Sequence, residues 1–132
     1  MQLQLGQGRI LKYTFSQRDF NRTAALSGDD NPIHVNPEFA AKTRFGKTVA
    51  HGVLLYGMIC RALGTLIPGG MPLEQELIFP GPTYTDEELI VWVVVTGLQP
   101  EHKLAELDTY IIKQDGSLGL KGRAVVRLPQ SD

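Results

Sequence analysis

GVLLYGMICRALGTLI, residues Gly52 to Ile67, is the most apolar helix-forming stretch of the chain, and its reading decides the fold. Val53, Leu54, Tyr56, Met58, Ile59, Ala62, Leu63 and Leu66 cover most of the helical circumference. A helix apolar nearly all round belongs in the middle of a fold, with other elements wrapped about it. Pro68-Gly69-Gly70 stops it, well short of the length that spans a bilayer.

Strands follow. Leu73 to Phe79 comes first and is interrupted by Pro80-Gly81-Pro82. Leu89 to Leu98 is next, with the β-favouring core Val91-Trp92-Val93-Val94-Val95. His102 to Gln114 alternates Leu104, Glu106 and Asp108 against Ala105, Leu107 and Thr109. Asp115-Gly116 is a hairpin turn signal, and Ser117 to Leu128 returns as the last strand.

Upstream of the central helix, Arg9 to Phe15 reads as a strand whose apolar face is Leu11, Tyr13 and Phe15. Ser16 with Asp19 makes a capping box that opens a helix through Leu26, ended by Gly28, with Phe20, Ala24 and Leu26 as its buried side. Asn36-Pro37 opens a second, brief helix through Phe39-Ala40-Ala41. The order of one strand, helices, then a run of antiparallel strands is α+β. It predicts one domain over 1–132, an antiparallel curved sheet wrapped around a central helix.

A net charge of −1 gives no long-range field, so nucleic acid and anionic membrane are poor candidates as partners. Met1 to Gly8 lacks the charged and apolar blocks of a signal peptide. Cys60 stands alone, so no internal disulfide forms and a reducing cytoplasm is the default location.

Two polar runs flank this apolar frame: Ser27-Gly28-Asp29-Asp30-Asn31-Pro32-Ile33-His34, and Ala50-His51-Gly52 at the mouth of the central helix. The first fixes a carboxylate and an imidazole close together on a turn that Pro32 stiffens. The second offers Gly52, whose backbone N–H no side chain obstructs, at a helix start that favours negative charge. Adding water to a double bond beside a thioester carbonyl needs a base for water, an acid for the α-carbon and a donor for the enolate oxygen. Asp29, His34 and Gly52 offer those three functions, and Asn31 can pin the loop or orient the pair. The same run also reads as an ordinary surface turn, with Asp29 as turn former and His34 as a packed histidine. His51 reads as a structural part of the turn that sets the helix start.

Other chemistries fit less well. Asp29-x-Asn31 begins like a calcium loop, but Pro32 follows and Ala40 stands where the closing Glu belongs. His34, His51 and His102 lack zinc-ligand spacing, and Cys60 lies within an apolar helix, where an inert core thiol is the plainer reading. No metal is expected. Neither a phosphate loop nor a dinucleotide fingerprint is present.

The motif Gly28-Asp29-Asp30-Asn31-Pro32-Ile33-His34, with Phe39-Ala40-Ala41 and Val49-Ala50-His51-Gly52, resembles the MaoC-like (R)-specific enoyl-CoA hydratases of the hot-dog fold. The likeness is closest to short single-domain members that supply (R)-3-hydroxyacyl-CoA for polyhydroxyalkanoate synthesis. The resemblance implies that Asp29 and His34 act through one bound water, that the Gly52 N–H takes the thioester oxygen and that Asn31 supports the site. It implies reversible syn hydration of a trans-2-enoyl-CoA, no cofactor beyond the coenzyme A of the substrate, and a homodimer with sheets joined edge to edge.

Several relatives carry a Ser where this chain places Cys60, and small residues where it has Tyr56 and Met58; Tyr56 and Cys60 are therefore candidates for the acyl tunnel. Lys42, Arg44 and Lys47, between the two motifs, are candidates for the phosphates of coenzyme A. The competing readings are a 3-hydroxyacyl-[acyl carrier protein] dehydratase, a thioesterase on the same fold, and a non-catalytic acyl-CoA-binding subunit.

Overall fold

Period-two alternation in three long strands builds the sheet. β3 (Glu88–Gln99) buries Leu89, Val91, Val93 and Val95, and β4 (Leu104–Ile112) buries Ala105, Leu107, Thr109 and Ile111. β5 (Leu118–Arg127) adds Leu120, Ala124 and Val126. The computed structural model describes residues 2–130; Met1, Ser131 and Asp132, at the ends of the domain expected over 1–132, lie outside them. β1 (Gly8–Thr14) and β2 (Met71–Gln75) complete one antiparallel sheet of order β1-β3-β4-β5-β2. Register shifts at Val95/Gly97, Pro72/Glu74 and Ile111/Ile112 bend the strands and curve the sheet.

The central helix, here α4 (Gly52–Leu66), lies against this sheet and buries Leu55, Met58, Ile59, Ala62, Leu63 and Leu66. Burying each of the larger of these side chains stabilises the fold by roughly 1.5–3 kcal/mol before entropy is counted. The helix is not enclosed all round. Val53, expected on its apolar circumference, is 56% exposed, and Gly57, Arg61 and Gly64 continue the open stripe. A sheet covers one side of a helix, and among the described residues nothing covers this stripe on the other.

α1 (Gln17–Ser27) begins at the expected capping box. The Ser16 N–H donates to Asp19 Oδ2 at 2.9 Å, and the Asp19 N–H donates to Ser16 Oγ at 3.4 Å. Gly28 closes the helix in the left-handed region (φ 81°), its N–H on the Ala24 carbonyl. Phe20 and Ala24 are buried as expected, but Leu26 is 92% exposed. Two residues beyond Ala24 is about 200° around a helix, which turns Leu26 to solvent.

The turn expected at Pro32 is itself a helix, α2 (Pro32–Val35), with Asn31 as its cap and Pro32 at its first position. α3 (Pro37–Ala41) follows from the expected Asn36-Pro37 start. Two strand expectations need shortening. The regular ladder ends at Gln75, and beyond it the chain keeps to β5 only through the Glu76 N–H on the Arg123 carbonyl and the bridge of Ile78 to Lys121. His102 belongs to a 3-10 turn, Pro100–His102, because Pro100 has no N–H for a ladder. Among the described residues no helix is long and apolar enough to cross a membrane.

Candidate active site

Gly28 ends α1 so that Asp29 leaves the helix in a tight turn. The Asp29 N–H donates to Ser27 Oγ at 3.1 Å, and the Asn31 N–H approaches Asp29 Oδ1 at 3.4 Å. Asn31 then accepts the Ile33 N–H through Oδ1 at 3.2 Å and starts α2, which carries His34. Asp29 Oδ2 and His34 Nε2 come to 3.8 Å. That gap is too long for a direct hydrogen bond and suits one water held by both groups.

The two members of this pair differ in environment. The Asp29 side chain is 53% exposed, whereas His34 is buried. His34 Nδ1 lies 2.7 Å from the Val49 carbonyl oxygen, which can only accept, so Nδ1 carries the proton and Nε2 faces Asp29. Gln17, in the first turn of α1, donates through Nε2 to the His34 carbonyl at 2.9 Å and accepts the Thr48 hydroxyl at 2.7 Å. The Val49 N–H donates to the Ile33 carbonyl at 3.0 Å. α2 is thereby tied to α1 and to the segment leading into α4.

His51 is 1% exposed and makes no side-chain cap for α4. Its Nε2 lies 2.9 Å from the Asp29 backbone oxygen, and its ring stacks on that of His34, with centroids 3.8 Å apart and planes at 24°. Asp29, His34 and His51 thus bring ligand-type atoms within 4.8 Å, a grouping hidden in the linear spacing. A metal would have to lie near the planes of both imidazoles. Planes stacked this way meet far outside bonding distance, so the pair of rings does not form a chelate.

Gly52 opens α4 beside this cluster, in a cavity of about 590 Å³ whose wall includes His34, Arg44, Leu55, Phe79 and Thr83. A Cβ on Gly52 would stand 2.8 Å from Phe79 Cζ, so the absence of a side chain is what lets the Phe79 ring lie over the helix start. The segment Phe79–Tyr84 was legible only as a strand interruption, yet it forms one side of the cavity. It is pinned by the Ala50 N–H on the Thr83 carbonyl (2.8 Å), by Tyr84 Oη on the Phe45 carbonyl (2.9 Å) and by Lys113 Nζ on the Pro82 carbonyl (2.6 Å). A Pro-Gly-Pro cluster next to apolar residues was the one available signal for this wall.

The basic candidates separate in space. Arg44 lines the cavity with its guanidinium over Phe45, and Lys47 Nζ stands 5.7 Å from the Tyr84 ring centroid. Lys42 caps the end of α3, exposed and off the cavity wall. Tyr56 and Cys60, the tunnel candidates, sit half-buried one turn apart on α4; Leu55, on the next face, is the one that lines the cavity. The Tyr56 hydroxyl is pushed up to about 12, first by its hydrogen bond to the Cys60 side chain, then by burial and by the charge Cys60 carries when ionised.

The profile described as "MaoC like domain" matches residues 4–115. An (R)-specific enoyl-CoA hydratase of Aeromonas caviae is 39% identical over 129 residues, covering 96% of both chains. A 3-hydroxybutyryl-CoA dehydratase of Methylorubrum extorquens is 36% identical over 98% of this chain and 83% of its own. The solved structure of an A. caviae (R)-hydratase involved in PHA biosynthesis superposes with a TM-score of 0.92, at 39% identity, over 96% of this chain and 98% of that one. The sheet order, the helix it carries and the span of these matches lead to one conclusion: the chain belongs to the MaoC-like family and has its hot-dog fold.

Proposed function

We propose that this protein is an (R)-specific enoyl-CoA hydratase, a hydro-lyase that adds water reversibly to trans-2-enoyl-CoA and gives the (R)-3-hydroxyacyl-CoA. The observation that carries the reading is the 3.8 Å gap between Asp29 Oδ2 and His34 Nε2, beside the start of α4, where Gly52 adds no side chain. It is supported by 39% identity to an enzyme of that activity.

A water gripped by both groups is aimed at C3. As its oxygen bonds to C3, Asp29 takes a proton and the electrons of the double bond move toward the thioester oxygen. The Gly52 N–H holds that oxygen as it becomes an enolate; one such donor is worth about 3 kcal/mol of barrier. Asp29 passes that proton to His34 Nε2, which carries none at the start because the His34 proton sits on Nδ1. The imidazolium so formed gives it to C2 as the enolate collapses, leaving both groups as they began. Water supplies both the hydroxyl and the proton, so no redox step or cofactor is needed. Both groups stand on one side of the substrate, which makes the addition syn.

Arg44 and Lys47, at and beside the cavity, meet the phosphates of coenzyme A, with Lys42 further out as a weaker contributor. The protein acts as a homodimer in the cytoplasm. The apolar side chains of Met71, Leu73, Leu77, Ile78 and Phe79, all exposed along and beyond the β2 edge, favour edge-to-edge pairing there.

The test is crotonyl-CoA hydration followed by loss of enoyl-thioester absorbance, with chiral analysis of the product. Asp29→Asn should lower kcat by about 10²–10⁴-fold while leaving thermal stability near wild type, since the carboxylate is half exposed. Release of free thiol, or equal turnover by the variant, would overturn the reading.

A further inference from the structure

We propose that His51 is a positioning residue that sets the geometry of Asp29 and His34 from one side chain; this rests on reading those two as the reacting pair. His51 precedes Gly52 at the start of α4, where a side chain ordinarily caps the helix, and it makes no such bond. Its Nε2 reaches back across the chain to the Asp29 carbonyl oxygen at 2.9 Å. A carbonyl only accepts, so Nε2 carries the proton and Nδ1 is a bare acceptor. That Nδ1 is buried and, among the described residues, has no hydrogen-bond partner.

A buried, unpaired acceptor is a cost to the fold. A phenyl ring would fill the same space and stack on His34 without it. What a phenyl ring cannot do is donate to Asp29. His51 therefore holds both members at once: the Asp29 backbone through its edge, and the His34 ring through its face at 3.8 Å. Val49 fixes the rotation of His34 through Nδ1, and His51 fixes the plane in which His34 Nε2 meets the Asp29 carboxylate. His51 does not itself touch the reacting atoms in this scheme.

The wild-type protein and two variants test it. His51→Phe keeps the ring face and removes the donor, and His51→Gln restores an N–H at the same reach. His51→Phe is expected to lower kcat for crotonyl-CoA about 10–100-fold, the scale set by a misplacement of about 1 Å, with KM within about twofold because the binding surface is intact. His51→Gln should recover most of that loss.

The second measurement is independent of turnover. Nitrogen-15 spectra of the wild-type imidazoles should show His51 protonated at Nε2 and His34 at Nδ1, with the His51 pattern lost in both variants. Wild-type kcat in a folded His51→Phe protein, or a wild-type His51 protonated at Nδ1, overturns the proposal. If the wild-type protein does not hydrate crotonyl-CoA, the hydratase reading fails, and the nitrogen spectra decide by themselves whether His51 holds Asp29 and faces His34 as described. If His51→Phe does not fold, the kcat of His51→Gln and the spectra decide: a kcat near wild type with the expected tautomers supports the proposal, and a wrong tautomer overturns it.

Discussion

At Gly52 one missing side chain serves two ends. It keeps a Cβ away from the backbone N–H and gives the Phe79 ring room at the start of α4. Gly52→Ala should therefore lower kcat/KM about 10²-fold, the loss expected when an oxyanion donor is blocked. Its melting temperature should hardly move, because the nearest atom is the far end of the 44%-exposed Phe79 ring, which can swing aside. Steady-state kinetics beside a thermal melt check both halves. Tyr56 gives a second prediction at this scale. In an absorbance titration one of the four tyrosines should ionise near 12, and Cys60→Ala should bring it back toward the ordinary value of about 10. The folded state holds that proton more tightly than the unfolded chain, so stability falls as pH rises from about 10 to 12 and is unaffected by this group below that window. Asp29, His34 and Gly52 were legible as residues because their chemistry lies in short motifs. The His34–His51 stack was not, since the two rings lie in different motifs of the chain and nothing local aligns them.

Elements depend on their ends. The Ser16 and Asp19 capping box begins the helix that carries Gln17, and Ser16→Ala should cost about 1 kcal/mol in a denaturant titration. Asn31 plays the same part for α2, a helix of four residues with little else to start it. Asn31→Ala is expected to lower kcat more than stability, because what frays is the turn that presents His34. Activity and a denaturation midpoint measured on the same sample separate the two effects. The Asn-Pro signal occurs twice, at Asn31-Pro32 and at Asn36-Pro37. It was legible as a helix start only at the second, where Phe39-Ala40-Ala41 follows. At the first the helix is shorter than one apolar repeat, so periodicity carries no information. The same limit hid the irregularity after Gln75, where β5 stays alongside through Glu76 and Ile78 but the regular ladder is lost: alternation records which face a residue prefers, not whether the pairing is regular.

Across the whole molecule, the α+β class and sheet were legible because each long strand alternates by itself. The cavity was not, because its wall is assembled from segments far apart in the chain, joined by Ala50 to Thr83 and by Tyr84 to Phe45. The open side of α4 was not legible either, because Val53 reads as one more apolar position of a helix expected to be wrapped all round. If β2 pairs with its copy, the protein should sediment at twice its 14.6 kDa chain mass, and Leu73→Asp should shift it toward the monomer.

Gln17 joins these scales. One amide spans the His34 carbonyl and the Thr48 hydroxyl, so the turn that presents His34 has no freedom to loosen before α1 does. Amide protons of α1 and α2 should then exchange with solvent through a common opening. On heating, the protein should stay competent until that opening and fail all at once, with no inactive folded state beforehand. Gln17→Ala should uncouple the two, so that inactivation runs several degrees ahead of the loss of helical circular dichroism.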